Sequence, residues 1–409
     1  MLNPSPSVPY FEVLINGNQR VPQYTPCVQI LQNTNSHTIA LLNVVYVGKN
    51  VAQNKKNSWQ YIPEQTPVTI NYGMKPYFVY PFLGYVASYK LLRSGADPGY
   101  NGLTTTTVQY TITGTSQVMQ TTKNVAWKHT SPSTIAATIA TQNGFRSVVH
   151  SYPSAIQYRL QNTSDFKFLS QLADEIGYRF YIDNTDLYFV NPQLILDRSN
   201  IRNIPQFWSY NTPGIWDTIR SFEPIVGTIT PDGGIVANRN VIGLNPNTAN
   251  LVQATSTANV TNASGGVLNV PTITKYYTTA PAESYYEAAQ KAAADANNNL
   301  YWNTADSDLW GDSHVKPNTL VNLIGNSLPS DEEGLWLVHG VTHTLELPSP
   351  NGSHVTSTYM MSTQLERDQI HTAVTTNIAQ TAATSQSVPS VLVGGTWKSS
   401  NLGASIYAT

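Results

Sequence analysis

Over the first 124 residues apolar positions alternate with polar ones, the period of a strand with one wet face. In VQYTIT, for example, Val108, Tyr110 and Ile112 point one way while Gln109, Thr111 and Thr113 point the other. Stretches rich in β-branched and aromatic residues recur between Gly, Pro and Asn clusters. They are FEVLI (11–15), CVQILQ (27–32), TIALLNVVYV (38–47), PVTINY (67–72), YFVYPFLGYVASYKL (77–91) and TTTVQYTITG (105–114). Six strands on this spacing predict a closed or nearly closed antiparallel sheet over residues 1–124.

At Ser131 the period changes to that of a helix. Ser131 followed by Pro132 is an N-cap with proline at the first helical position, Ile135 and Ile139 share a face, and Gly144 supplies the stop. A second helix starts at Ser164 or Asp165, carries Phe168, Leu169, Leu172, Ala173 and Ile176 on one stripe, and ends at Gly177. RSVVHSY between them reads as a strand, and YRFYI and LYFV flank a turn at Asp183 to Asp186. Residues 125–213 are thus expected to form a small α/β unit inserted between β-rich regions.

The β pattern returns in residues 214–371, with IRSFEPIVGTIT, VLNVPTITKYYT, VKPNTLVNLIG, GLWLVHGVTHTLEL and SHVTSTYMMST. Two interruptions are expected: a long polar loop or loose hairpin excursion at 231–266, and an alanine-striped helix at 282–299 carrying Ala288, Ala292 and Ala296. Residues 372–409 read as an extended tail, with Ile370, Val374 and Ile378 at helical spacing leading into it. The fold class is therefore β-rich α+β.

Charge narrows the function. Charged residues make up 11% of the 409, and 22 basic side chains against 24 acidic ones leave a net −2. About a quarter would be usual for a soluble chain. Without a basic stripe the chain cannot neutralise a row of phosphates, which excludes a dedicated nucleic-acid binder. The amino terminus lacks the basic and apolar segments of a signal peptide, and no apolar run approaches a membrane span. The expected setting is a reducing cytoplasm, and the Asn-X-Ser/Thr matches at Asn162, Asn259, Asn262 and Asn351 carry no weight there. The single cysteine, Cys27, is expected as a core thiol.

Candidate chemistry is sparse. No nucleophile elbow, phosphate loop, dinucleotide fingerprint or paired CxxC occurs. Asp174 and Glu175 are adjacent on a helix, where side chains diverge. Asp331, Glu332 and Glu333 fall in a turn, with too few oxygens at too narrow a spacing for calcium. His339 and His343, four apart on a strand, are expected on one face with His354 on the neighbouring strand, but no oriented carboxylate or thiolate completes a zinc site. No catalytic residue, cofactor or metal is assigned. The 24 Tyr, 8 Trp and 10 Phe suit subunit interfaces better than base stacking, which would want interleaved Arg or Lys.

SPSTIAATIATQNGF followed by LQNTSDFKFLSQLADEIGYRFYIDNTDLYFVNP resembles the signature of phage tail hub proteins, the late control protein D group and the amino-terminal half of VgrG spike proteins. Ser164, Asp165, Phe168, Leu169, Leu172, Ala173, Gly177, Phe180, Leu187, Phe189 and Pro192 carry the match. GYVASYKL with VQYTITGTSQVMQ is similar to the closing strands of the family's first barrel. GDSHVKPNTLVNLIG with GLWLVHGVTHTLEL and VTSTYMMSTQLER is similar to those of its second. The likeness spans residues from about 75 to 370. Three departures stand out: the first 70 residues agree by strand pattern only, Asn318 stands where a glycine is usual, and no spike or lysozyme domain follows.

The resemblance implies two tail-tube-like antiparallel barrels with the α/β unit inserted between them, and a homotrimer whose six barrels match a sixfold tail tube to a threefold tip. It implies as partners a tail tube or distal tail protein on one side, a tip or spike protein on a separate polypeptide on the other, and the tape-measure carboxyl terminus in the lumen. Genomic DNA would pass through without specific binding and without stable membrane insertion by this chain. The expected location is the virion tail baseplate, assembled in the host cytoplasm, and no enzymatic activity is implied. Two other readings are an aromatic-rich glycan-binding tail adhesin and the hub of a related contractile injection system. An internal echo aligns FLGYVASYK with LVHGVTHTL, Leu83 on Val338 and Val86 on Val341.

Overall fold

The computed structural model describes residues 8–17, 19–21, 24–47, 62–75, 78–96, 104–152, 155–192, 204–208, 218–226, 235–244, 251–259, 272–277, 288, 291, 303–325, 328, 333–348, 356–367, 375–379, 391–393 and 396–398. The first set of strands is β1 (Val8–Ile15), β2 (Gln19–Arg20), β3 (Tyr24–Asn33), β4 (Ile39–Val47), β5 (Pro67–Lys75), β6 (Phe78–Ala96) and β7 (Thr104–Gly114). After a 3₁₀ turn at Thr115–Gln120 come β8 (Val125–Thr130), helix α1 (Pro132–Gln142), β9 (Arg146–Val149), β10 (Ile156–Gln161), helix α2 (Asp165–Ile176), β11 (Arg179–Asp183) and β12 (Asp186–Val190). The remainder contributes β13 (Gln206–Trp208), β14 (Ile219–Val226), β15 (Ile235–Leu244), β16 (Leu251–Asn259), β17 (Thr272–Tyr277), β18 (Asn303–Trp310), β19 (Leu320–Ile324), β20 (Gly334–Glu346), β21 (Thr358–Arg367), β22 (Thr375–Ala379), β23 (Val391–Val393) and β24 (Thr396–Lys398).

Hydrogen bonding runs through one open, mostly antiparallel sheet of 13 strands, in the order β14-β18-β21-β20-β3-β4-β7-β6-β5-β1-β2, with β19 on β20 and β13 on β19. The two strand sets are joined at β3 and β20, where Cys27 to Asn33 lie antiparallel to Glu346 to Gly340. Alternation decides which face is buried. Val28 and Ile30 of β3, Ala40 and Leu42 of β4, Val108, Tyr110 and Ile112 of β7, and Val341 and Leu345 of β20 enter one shared core with Trp336, Tyr359 and Leu365. The sheet curls so that Tyr72 of β5 reaches the imidazole of His343 on β20, 5.2 Å between ring centres.

The two sets have the same internal order. The first runs β1-β5-β6-β7-β4-β3 and the second β13-β19-β20-β21-β18-β14, each in the same chain sequence. They differ at one joint, since β1 is antiparallel to β5 whereas β13 is parallel to β19. The register of the repeat is readable from the backbone. Val86 accepts from Gln65 N and donates to Thr66 O (2.7 and 3.0 Å), and Val338 does the same with Asn318 and Thr319 (2.8 and 2.9 Å). Gln65 (φ 64°) and Asn318 (φ 62°) both take the left-handed conformation there. Each valine is followed at once by a bulge in the ladder, between Val86 and Ser88 and between Val338 and Gly340. Val86 therefore corresponds to Val338, three residues from the alignment read by eye in the sequence.

Between the sets, Met119 to Phe189 build a second hydrophobic cluster. Helix α1 is capped by Ser131, whose Oγ accepts from Thr134 N at 3.2 Å, and packs Ile135 and Ile139 inward. Helix α2 is capped by Ser164 and closed by Gly177 at φ 71°. Strands β11, β12 and β9 form one small sheet, and β10 and β8 another.

The segment 231–266 follows the hairpin alternative rather than the loop: β15 and β16 pair within it and belong to a four-stranded sheet with β17 and β22. Val241 and Ala254, opposite each other in that hairpin, are buried despite the polar neighbours in the sequence. Residues Thr375–Ala379 are a strand on β16, so the helical spacing of Val374 and Ile378 is overridden by an available sheet edge. The helix expected at 282–299 falls largely outside the described residues; Ala288 and Lys291 are helical and buried. Strand β18, missed in the sequence, alternates buried Ala305, Ser307 and Leu309 with exposed Thr304, Asp306, Asp308 and Trp310, too polar overall to stand out.

Candidate functional site

Among the described residues the candidates for chemistry are each engaged elsewhere. Because of the bulge after Val338, His339 and His343 do not share a face: His339 is exposed and His343 fully buried. One ring nitrogen of His343 lies 3.1 Å from the Val315 carbonyl and the other 2.9 Å from the Tyr359 hydroxyl, so both are occupied. Burial pushes its pKa down to about 3, the Val315 bond opposing and Lys316 adding to the shift. His339, its ring partly covered, sits 3.7 Å from Glu366, and that partial burial and then Arg179 lower its pKa. His354, Asp331 and Glu332 lie outside the described residues, and Glu333 accepts from Gly325 N at 2.8 Å. Among the described residues no group of three or more His, Cys, Asp or Glu could hold a metal.

Asp174 and Glu175 diverge as their helical spacing requires. Asn35 Nδ2 donates to Asp174 at 2.6 Å, and Arg159 pairs with Glu175. Cys27 is half-buried opposite Glu346, and burial with that carboxylate pushes its thiol up to about 11, leaving it a poor nucleophile.

What the sequence did not single out is the polar joint that fastens the helical unit to the sheet. Asn35, at φ 57°, donates its amide to Phe180 O (2.7 Å), while its side-chain oxygen accepts from Phe180 N (3.0 Å). Asn184, at φ 53°, accepts from Leu83 N (2.8 Å) and donates to Pro81 O (2.7 Å). Lys316 Nζ meets Asp183 at 2.5 Å. Arg179, nearly buried, bonds both Glu366 and Asn318 (3.0 Å to the latter). Asn318 thus takes the left-handed backbone that a glycine would, and its side chain supplies an acceptor that glycine lacks. Beside this joint lies a cleft of about 550 Å³, lined by the stacked pair Tyr181 and Tyr188 with Tyr80, His314 and Lys316.

On the other side of the second strand set, Ser221, Glu223, Asp306, Asp308, Ser362 and Gln364 line a polar groove of about 380 Å³. Its acids are exposed, and apart from Gly340 and Val341 its remaining groups are hydroxyls and amides. Such a surface can hold water and small cations at its rim and repels polyanions.

No protein-family model and no curated protein matches the chain. Solved structures do. A 43 kDa tail protein of prophage MuSo2 from Shewanella oneidensis superposes with a TM-score of 0.60 at 12% identity, over 87% of this chain and 98% of that one. The fold is that of a phage tail protein. A tail protein from Neisseria meningitidis MC58 agrees (TM-score 0.58, 9% identity, 89% and 98% covered). So does an E. coli component of the type VI secretion system described as similar in structure to the T4 tail proteins gp27 and gp5 (0.50, 11%, 88% and 78%). Among the described residues of this tail-protein fold, no helix is long and apolar enough to cross a membrane.

Proposed function

We propose that the chain is a structural, non-enzymatic subunit of a phage tail baseplate hub, three copies of which close into a ring. The observation that carries this reading is the duplicated strand order. Two copies of one six-strand arrangement, joined edge to edge, supply two neighbouring positions of a ring with sixfold pseudo-symmetry. Residues 1–124 and 214–371 then act as the two tube-like modules, with the unit at 125–213 braced against them by Asn35, Asn184 and Arg179. The tail tube or a distal tail protein sits on one face, a tip or spike protein on the other, and the tape-measure carboxyl terminus reaches the lumen.

The groove at Glu223, Asp306 and Asp308 and the threonine-rich face continuing through Thr342 and Thr344 are the surfaces proposed to line the channel. DNA that must leave quickly cannot be gripped, since each neutralised phosphate adds affinity by releasing counterions. A polar, slightly acidic wall lets the duplex slide. The glycan-binding alternative would need clustered exposed rings, whereas among the described residues the exposed Tyr89, Tyr158 and Trp310 lie on three separate strands.

The deciding experiment is mass measurement in solution with negative-stain imaging, alone and with tube protein. A trimeric ring is expected. A persistent monomer that forms no ring with tube protein would refute the reading.

A further inference from the structure

The internal joint between the strand sets has a counterpart that one chain leaves open. Across four strands of the first set runs the row Val86, Ile112, Ala40, Ile30, each residue directly opposite the next. Across the second set runs the matching row Val338, Leu365, Ala305, Pro224. Seven of these eight residues are buried; Pro224 is exposed.

The difference lies in what covers the row's end. Ile30 is covered because β3 lies against β20, where it faces His343, five residues beyond Val338. The residue five beyond Val86 is Leu91. It is 57% exposed, and Tyr89 and Leu92 beside it are 49% and 47% exposed, whereas Val341 and His343 at the places matching Tyr89 and Leu91 are 2% and 0%. β5 covers only the Phe78–Tyr85 part of β6, just as β19 covers only the start of β20, and no described strand pairs with β6 beyond Val86 on the side where β20 receives β3. Among the described strands none pairs with the outer edge of β14.

We infer that β14 of one copy pairs antiparallel with residues 89–94 in β6 of a second copy, repeating the β3–β20 joint between chains. This places Pro224 opposite Leu91 and Glu223 beside Leu92, the extra residue of a β6 bulge between Leu91 and Arg93 that β20 lacks, with Lys90 diagonal to Glu223. The contact is head-to-tail, so each chain offers one edge and receives another, and a closed ring leaves neither exposed. Pro224 has no amide hydrogen to donate, which makes the edge a poor template for arbitrary strands and gives side-chain pairing more weight. Closure after three copies rests on the hub reading; the pairing itself rests on the repeat.

The test uses full-length protein carrying Cys27→Ser with Leu91→Cys and Pro224→Cys. Mild oxidation is expected to give covalent dimers and trimers on a non-reducing denaturing gel, and neither single cysteine should do so. A trimeric mass without that ladder overturns the seam and leaves the hub reading intact. A monomeric mass without it overturns both. Independently, Leu92→Glu sets a carboxylate against Glu223 and is expected to weaken self-association by about tenfold or more, with recovery on adding Glu223→Lys. Unchanged association in Leu92→Glu, with unchanged circular dichroism, also overturns the seam.

Discussion

His343 is held neutral by its surroundings, packed among Tyr72, Tyr359 and the Lys316 segment with both nitrogens bonded. Its folded pKa of about 3 lies below the 6.5 of an unfolded histidine, so the unfolded state binds the proton first. The stabilisation is complete above pH 6.5 and is lost as pH falls from there toward 3, at about 1.4 kcal/mol per pH unit. Urea unfolding at pH 7, 5 and 4 should show this slope, and His343→Gln should flatten it; equal slopes in both proteins would remove His343 as the cause. Arg179 makes a second residue-scale case. Arg179→Met strands the Glu366 carboxylate, which is 11% exposed, and should cost about 3 kcal/mol, whereas Arg179→Met with Glu366→Leu should recover most of it. A double-mutant cycle on unfolding free energies reads the coupling directly. Neither role was visible in the sequence, where an isolated Arg and a strand-end Glu look like surface charges.

At the scale of elements, α2 was legible because its signals are local. Ser164 caps it, Phe168, Leu169, Leu172 and Ile176 bury one face, and Gly177 ends it. Its first residue was not so transparent. Asp165, 1% exposed, takes Lys123 at 2.5 Å, Gln161 at 2.7 Å and Asn143 at 2.8 Å, tying α2 to the end of α1 and to β10. Asp165→Ala should therefore destabilise the helical unit by about 3 kcal/mol, against about 1 kcal/mol for Ser164→Ala, which removes only a cap. Thermal melts of the two variants would reveal equal costs if Asp165 were merely a first-turn acid. Strand β18 escaped notice, and the hairpin of β15 and β16 was only one of two readings of its segment, for the opposite reason. Their residues are polar, and they are strands because neighbours offer hydrogen-bonding edges, which no local period records.

At the largest scale, the described residues build one curled 13-stranded sheet carrying the same strand arrangement twice, with a helical unit pinned to it through two left-handed asparagines. The channel proposal belongs to this scale. Asp306→Lys with Asp308→Lys should turn a repelling groove into a retaining one, adding salt-dependent DNA binding measurable by filter retention and slowing ejection from assembled particles. Binding that stays absent at low salt would place the groove away from the DNA path. The tail-like likeness was legible from the α2 motif and the two closing-strand motifs, because capping residues, buried faces and terminating glycines are written in adjacent positions.

The sequence by itself determined the periods, and with them the elements of the first strand set, both helices and the near-neutral polar surface. Only the tertiary structure decided that β3 joins β20 and that Val86 answers to Val338. It also separated His339 from His343 across a bulge. Period-2 alternation specifies which face of a strand is buried, but is indifferent to which strand lies beside it. Partner choice between strands some 300 residues apart is settled by edge availability, bulge position and shared core volume, none of which exists until the chain has folded.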